Sequence, residues 1–301
     1  MAISQSQSQL RDADEAPTPR SALRVPRSPL ARVGRQKNIL LGGGILGALL
    51  LIAVIAPLIA THNPQTIVGF ARLKGPSTIH FFGTDGQGRD IYSRIVYGAR
   101  LSLGVGFAVA IATLIVGTII GLISGYYHRA DAILMRIMDG MMAFPGIILA
   151  IGIMAVRGAQ VSNVILALSV VATPRLARVV RSVVLGLRES QFVEAARAIG
   201  NVDSRVVWRH ILPNCLSPLI VQSSFVFAEG VLGEATLSFL GAGAPPNVPS
   251  WGTMLNDSKV FLEQAPWTML FPGAALTLTV FALNLLGDGL RDLLDPRLRR
   301  L

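Results

Sequence analysis

Six apolar runs alternate with polar segments along the chain. They cover residues 39–60, 101–127, 141–156, 161–185, 216–240 and 266–286. The first run holds 22 residues without a charge. As an α-helix rising about 1.5 Å per residue it would extend about 33 Å, which is enough to cross the ~30 Å hydrocarbon core of a bilayer. The pattern predicts an all-α, polytopic membrane protein with six transmembrane helices.

The polar segments divide the chain into three parts. Residues 1–37 are rich in Ser, Gln, Pro and Arg, lack apolar periodicity, and are expected to form a disordered tail. Residues 38–100 hold the first span and a loop with an interfacial elbow, and residues 101–301 hold a core of five helices. A cleaved signal peptide is disfavoured, because the first run is too long for its apolar region and the tail is too long and mixed in charge.

A polar, basic segment, residues 190–214, separates the fourth and fifth runs, and its sequence predicts two short helices. Ser190 can cap the first helix, and Gly200 can end it in the left-handed conformation that glycine adopts readily. The apolar positions that share one face of this helix are Phe192, Ala196 and Ile199.

The second helix is expected to start from a cap by Asp203 and to cover residues 205–212, where Pro213, which has no N–H, ends it. In a soluble basic protein such a unit would suggest a DNA-binding helix-turn-helix. Here, segments long enough to span a bilayer flank it within about ten residues. DNA would have no room to approach, so nucleic acid is not expected as a partner.

The composition is that of a membrane protein, and the distribution of charge predicts which side of the bundle faces the cytoplasm. Apolar residues make up 51% of the 301 positions and charged residues 15%, whereas soluble domains carry about a quarter charged residues. Of the 27 Lys and Arg, 20 lie on the side of the predicted bundle that holds both termini and residues 190–214. Basic residues concentrate in cytoplasmic loops, so this side is expected to be cytoplasmic.

Some charged residues fall inside the predicted spans. Glu229 and Glu234 lie in the fifth run, and intramembrane carboxylates usually face a bundle interior or a wet pathway. Both are candidates for the translocation path. Glu229 is the better one, while Glu234 is expected to serve packing. Three arginines of the fourth run are expected near the cytoplasmic boundary, snorkelling or contacting lipid phosphate: Arg175, Arg178 and Arg181.

Glycines recur every four residues in the second run, at Gly117, Gly121 and Gly125. Small residues at this spacing let two helix backbones approach closely. Internal packing is the favoured interpretation, and an interface with a partner subunit is the alternative.

The loop before the second run is expected to hold an amphipathic elbow. Asp90 can cap a short helix, and Arg89 and Arg94 are expected to face water or phosphate. The residues expected to face the bilayer interface are Ile91, Ile95 and Val96.

Three separated motifs resemble one family. Glu194-Ala195-Ala196, followed by Gly200 and then Leu212-Pro213, is similar to the EAA loop of the membrane subunits of binding-protein-dependent ABC importers. The sequence departs from that pattern at His210, where the family has an apolar residue.

The other two motifs lie outside that loop. Residues 83–100 resemble the GTDxxGRDxxSR signature of the C-type dipeptide, oligopeptide and nickel permeases. Residues 245–255 resemble the external PPxPxWGxML segment of the family. By this resemblance Pro246 and Trp251 are candidates to face a binding protein, and a tryptophan also suits a surface that is partly wet.

The resemblance implies a type I ABC importer permease fold and a permease subunit in the bacterial plasma (inner) membrane. Its implied partners are membrane lipid, a second, B-type permease chain, two ATPase subunits and an extracytoplasmic substrate-binding protein. Dipeptides, oligopeptides, glutathione and nickel chelates are all possible substrates. The ATPase-coupling positions implied within the loop 188–214 are Phe192, Glu194, Ala195, Ala196, Gly200, Leu212 and Pro213.

The sequence contains no motif for catalysis, so the chain is not expected to be an enzyme. It contains no Gly-x-x-x-x-Gly-Lys-Ser/Thr nucleotide loop. Its only cysteine is Cys215 and its four histidines are scattered in sequence, so no cofactor or metal site is expected. The alternative function is an ion-coupled secondary transporter or channel without ATPases. Such carriers usually show inverted repeats and broken helices, and no such repeat is found.

Overall fold

The computed structural model describes residues 36–294, and within them the chain is almost entirely helical. The helices are α1 (Lys37–Ile59), α2 (Ile91–Tyr126), α3 (His128–Met142), α4 (Gly146–Arg157), α5 (Val161–Arg188), α6 (Gln191–Ala198), α7 (Asp203–Val206), α8 (Leu212–Phe239), α9 (Trp251–Ser258) and α10 (Trp267–Leu294). A π-helical turn, Val207–Ile211, joins α7 to α8. Of the tail expected to be disordered, only Gln36 and Lys37 lie within the described residues.

Five stretches are long and apolar enough to cross a membrane: α1, α2, α5, the run Asp203–Phe239 and α10. The third expected span is instead formed by α3 and α4, which are bent by 90° relative to each other. Pro145 precedes α4, and the residue before a proline is disfavoured in a helix. The all-α membrane fold is confirmed, with six spans if the bent pair counts as one. The bounds expected for the third span, residues 141–156, are wrong, because α3 ends at Met142 and α4 covers only Gly146–Arg157.

Helix α2 lies at the centre of the bundle, and its glycines pack against α5. A Cβ built on Gly117 would lie 2.9 Å from the side chain of Leu176, and one on Gly121 would lie 2.5 Å from Cβ of Val180. Gly125 meets Val184 in the same way, so α2 and α5 run parallel. The prediction of internal packing is confirmed, because larger side chains would push the two helices apart.

The bundle has two ends, which we name by their residues. Residues 190–211 lie at one end, which the C-termini of α2 and α5 reach. Residues 61–90 lie at the other end, together with α9 and the start of α10. The buried side chains at the 190–211 end form one cluster: Leu122, Tyr126, Leu176, Val180, Val184, Val193, Ala196, Val206, Val207, Ile211, Cys215 and Leu219.

Asp90 caps α2, as predicted, by accepting a hydrogen bond from the backbone N of Ser93 at 2.8 Å. The surroundings predicted for this elbow are wrong. Ile91 and Val96 are buried in the protein instead of facing a bilayer surface. Arg94 is 2% exposed. The helix also does not stop after one turn, but continues as α2 to Tyr126.

Arg89 and Arg94 are buried because two carboxylates pair with them. Arg89 Nε lies 2.6 Å from Asp85 Oδ2, and Arg89 Nη2 lies 2.7 Å from Asp257 Oδ2. Arg94 contacts the same two carboxylates. Asp257 belongs to α9, far along the chain, so the local sequence pattern gave no sign of this partner.

Pro213 does not end a helix, contrary to the prediction. The chain runs from α7 through the π-helical turn into α8, where proline at an early position is tolerated because few backbone bonds are lost there. Asn214 Nδ2 donates to the carbonyl of His210 at 2.6 Å. The wider turn also accounts for the departure from the family pattern: Ile211 points into the core and His210 is half-buried.

Candidate functional site

The segment 190–211 presents one face to the bundle and another to the outside. Val193 and Ala196 of α6 are buried in the same cluster as Val184 and Ile211. The expectation that Phe192, Ala196 and Ile199 share one apolar face is wrong, because Phe192 and Ile199 are exposed while Ala196 is buried. The inward face holds the segment in place through apolar contacts with α5 and the π-helical turn.

The outward face carries large apolar side chains. Ile199 is 81% exposed, Val202 66% and Trp208 61%. Phe192 completes this set, and we call the four residues together the apolar patch. Several large exposed apolar residues on one short folded segment are typical of a surface that binds another protein.

Gly200 lies between the two helices of this segment with φ of +85°. The left-handed conformation predicted for it is confirmed. The turn is closed by Asn201, whose backbone N and side-chain Nδ2 both donate to the carbonyl of Ala196, at 3.2 and 3.0 Å. Since a Cβ at Gly200 would have no atom within 4 Å, the need for glycine comes from the backbone alone.

The two predicted side-chain caps of this segment are not formed. Ser190 Oγ donates to the carbonyl of Leu187 at 2.5 Å and makes no capping bond to α6. Asp203 is the first residue of α7 and does not precede it. Its carboxylate instead accepts a hydrogen bond from the hydroxyl of Tyr126, at an O–O distance of 2.5 Å. The segment is thereby fixed to the end of α2.

The remaining predicted coupling residues have mixed surroundings. Glu194 and Ala195 are exposed beside Phe192. Leu212 packs against the cluster at this end of the bundle, and Pro213 is exposed on α8. The motif therefore combines outward-facing positions with positions that hold the segment on the bundle.

A ladder of ion pairs joins α5 to two other helices. Arg175 pairs with Glu229 of α8. The next two arginines pair with α3: Arg178 Nη2 lies 2.5 Å from Asp139 Oδ1, and Arg181 Nε lies 2.5 Å from Asp131 Oδ1. The sequence predicts that these arginines snorkel or contact lipid phosphate near the cytoplasmic boundary, and it does not predict the carboxylate partner that each one has within the protein.

Glu229 and Glu234 lie in different surroundings. The side chain of Glu229 is 46% exposed beside Arg175. Glu234 is completely buried, where it accepts hydrogen bonds from Ser102 Oγ at 3.0 Å and Ser238 Oγ at 2.8 Å. These hydroxyls satisfy the buried carboxyl group and link α8 to α2, which favours a packing role for Glu234.

The two residues predicted to face a binding protein also differ. Pro246 is exposed. Trp251 is fully buried, with its Nε1 donating to the carbonyl of Ile95 at 3.1 Å. The expectation of a wet surface for Trp251 is wrong, because the capped start of α9 directs the ring towards Gly98 of α2.

A small cavity of about 150 Å³ lies next to the ladder. Its lining residues are Met141, Met142, Phe144, Gly146, Leu149, Val171 and Arg175. The cavity therefore lies beside the bend between α3 and α4, and apolar side chains and Arg175, the partner of Glu229, line it.

The chain is similar to membrane components of known transporters. Residues 117–300 match the family described as "Binding-protein-dependent transport system inner membrane component". The dipeptide transport system permease protein DppC of Alkalihalophilus pseudofirmus is 47% identical over 274 residues, which cover 91% of this chain and 90% of that one. The glutathione transport system permease protein GsiD of Pectobacterium atrosepticum is 40% identical over 281 residues, covering 92% and 93%.

The chain is also similar in fold to a solved transporter structure. The chain resembles one from the MetNI methionine ABC transporter in inward-facing conformations, with a TM-score of 0.58 and 21% sequence identity. The match covers 68% of this chain and 98% of that chain.

Proposed function

The chain belongs to the inner membrane components of binding-protein-dependent transport systems, and on this premise we propose that it is the permease subunit of an ABC importer for peptides. The peptide substrate is suggested by relatives named for dipeptide and glutathione transport. Dipeptides, longer peptides and glutathione share a peptide backbone with charged termini. The alternative of a solitary ion-coupled carrier does not account for the motifs that this family shares.

The observation that carries the proposal is the apolar patch on the segment 190–211. Phe192, Ile199, Val202 and Trp208 are exposed on a segment whose other face is anchored in the bundle. We propose that this surface docks into a groove of an ATPase subunit. A displacement of the docked segment would then reach the membrane helices through the buried face and through the bond between Tyr126 and Asp203.

The proposed orientation places both termini and the segment 190–211 in the cytoplasm. Of the 27 Lys and Arg, 20 lie in the segments assigned to this side, both termini included, and seven lie in the segments assigned to the opposite side. Such an excess of positive charge is typical of the cytoplasmic side of a membrane protein. The 61–90 end would then face the extracytoplasmic binding protein in the bacterial plasma membrane.

We assign the translocation path to the side of α5 that carries the ion-pair ladder. Arg175 and Glu229 are both partly exposed and lie near the middle of their helices, and Arg175 borders the cavity beside the bend between α3 and α4. A second permease chain would complete the path across this face. Partly exposed charges at membrane depth are tolerated where they line a wet cavity.

The experiment that tests this function is reconstitution. The chain is assembled in proteoliposomes with its partner permease and ATPases, and uptake of a labelled dipeptide is measured with binding protein, with ATP or a non-hydrolysable analogue. We expect uptake only with hydrolysable ATP. Uptake by the chain alone under an ion gradient, with no ATP requirement, would support the solitary carrier instead.

A further inference from the structure

Two histidines that are 18 positions apart in sequence, His62 and His80, lie side by side at the 61–90 end. Their ring centroids are 4.8 Å apart. The Nδ1 atoms of both rings face the same oxygen, Oδ1 of Asp90, at 2.9 Å from His80 and 3.8 Å from His62. The fold thus brings two imidazoles and one carboxylate to a single point.

Asp90 divides its two oxygens between different tasks. Oδ2 accepts hydrogen bonds from Ser93 N at 2.8 Å and from Ser93 Oγ at 2.7 Å, which caps α2. The other oxygen, Oδ1, faces the imidazole rings of His62 and His80. The Asp90 side chain is 1% exposed, and a buried carboxylate requires compensating positive charge or hydrogen bonds.

The backbones that carry the histidines are fixed by separate hydrogen bonds. The backbone N of His62 donates to Ser93 Oγ at 3.0 Å, which ties the chain after α1 to the first turn of α2. The backbone N of His80 donates to Ser77 Oγ at 3.1 Å, and Ser77 N donates to the carbonyl of His80 at 2.8 Å. The three side chains are therefore held near one another by the fold rather than by chance proximity of mobile loops.

We propose that His62, His80 and Asp90 bind a divalent transition metal ion, for which Zn²⁺ is the best match. Imidazole nitrogens and a carboxylate oxygen are a donor set that Zn²⁺ uses, with a fourth position left for water. One ligand atom from each of the three residues lies within 4.8 Å of the others. Metal–ligand bonds of about 2.0–2.2 Å place tetrahedral ligands about 3.4 Å apart.

The present ligand-atom separations reach 4.8 Å, and rotation of the His62 side chain would bring its nitrogen to the separation of about 3.4 Å that a tetrahedral site needs. That side chain is 39% exposed, while His80 and Asp90 are more tightly enclosed. His62 also borders an open cavity of about 520 Å³ that is lined by Thr61, Asn63 and Tyr97 among others. A water molecule on the metal has room there.

A bound ion would fasten the segment after α1 to the start of α2. Without it, that junction depends on hydrogen bonds from Thr61, His62 and His80 to Asp90 and Ser93. The inference concerns the 61–90 end alone and does not rest on peptide transport, so either proposal can fail without the other.

The test is metal titration of the full chain, purified in detergent through an affinity tag without histidines and stripped with a chelator. Zn²⁺ affinity is measured by competition with a chromophoric chelator, and Co²⁺ is added separately to record the absorption of a tetrahedral site. We expect about one Zn²⁺ per chain. The variants His62→Gln and His80→Gln should each bind Zn²⁺ at least about tenfold more weakly.

Two controls make the outcome decisive. His128→Gln alters an exposed histidine outside the cluster and should bind Zn²⁺ as the wild type does. Asp90→Asn keeps a side chain that can cap α2, so it should weaken metal binding without preventing folding. Equal Zn²⁺ binding by the wild type and the double variant His62→Gln, His80→Gln would overturn the proposal, as would the absence of Zn²⁺ binding to folded wild-type protein.

Discussion

The hydroxyl of Tyr126, in the last turn of α2, donates a hydrogen bond to the carboxylate of Asp203, which begins α7, at a distance of 2.5 Å. The guanidinium of Arg197 in α6 lies over the same tyrosine ring, 5.1 Å from its centroid. One side chain of the central helix therefore contacts both helices of the segment 190–206. A movement of that segment would pull on α2 through polar contacts as well as through the apolar cluster.

Replacing Tyr126 with Phe tests this connection. The variant loses the bond to Asp203 but keeps the ring, so we expect the complex to assemble. A hydrogen bond to a charged group contributes about 1.5–3 kcal/mol. Substrate-stimulated ATP hydrolysis and uptake should fall by about tenfold. The matched control is Tyr127→Phe, which alters the exposed neighbouring tyrosine. Equal effects of the two substitutions would remove Tyr126 from the mechanism.

Gly200 allows a second comparison at a single position. Gly200→Val forces a β-branched residue into a left-handed conformation, which costs about 1–3 kcal/mol. Asparagine tolerates that conformation better, so Gly200→Asn should retain most activity. We expect uptake in membrane vesicles to fall strongly for the valine variant only, with normal insertion of both. If the valine variant transports as well as wild type, the turn does not matter for coupling.

Substitutions at Glu229 and Glu234 distinguish the roles of the two carboxylates within the predicted spans. Glu229 is partly exposed and pairs with Arg175, so loss of its charge should change uptake kinetics for charged peptides while leaving assembly intact. Replacing Glu234 with Ala should instead lower thermal stability, because Ser102 and Ser238 would lose a buried partner. Unchanged uptake kinetics for Glu229→Gln would make it a packing residue.

Asp257→Ala should destabilise the 61–90 end. Its carboxylate is 36% exposed but contacts the buried Arg89 and Arg94, so its removal leaves two buried positive charges with one carboxylate fewer. Because Asp85 still pairs with both arginines, we expect a loss of about 1–3 kcal/mol, read as a lower melting temperature in detergent. The control is Glu263→Ala, at an exposed position shortly after α9. Equal melting temperatures for the two variants would argue against the network.

The features that sequence predicted correctly are those set by local backbone and burial requirements. Gly200 was predicted as a left-handed turn because few other residues adopt that conformation. Asp90 was predicted as a cap because a carboxylate before an apolar helix has few better partners. The glycines of α2 were predicted to pack internally for an equally local reason, since only small residues permit that helix spacing.

The features that sequence missed depend on residues far apart in the chain. The partners of Arg175 and Arg94 come from other helices, at Glu229 and Asp257, so the arginines alone suggested lipid or water. His62 and His80 looked scattered because their contact is made by the loop that returns to α2. The missing N–H of Pro213 is evident from sequence and predicts a helix end, whereas the π-helical turn that accommodates the proline is not evident from sequence.

Thiol labelling tests the central claim most directly, that the apolar patch is a cytoplasmic docking surface for an ATPase. The native Cys215 is fully buried and should not react with the label. Ile199→Cys provides an exposed thiol on the apolar patch, and Pro246→Cys provides an exposed control at the other end of the bundle. With a membrane-impermeant maleimide, we predict no labelling of Ile199→Cys in intact cells, labelling in inverted vesicles that lack the ATPase, and protection once the ATPase is bound. Pro246→Cys should react from outside. Labelling of Ile199→Cys from outside intact cells, or no protection by the bound ATPase, would contradict the account.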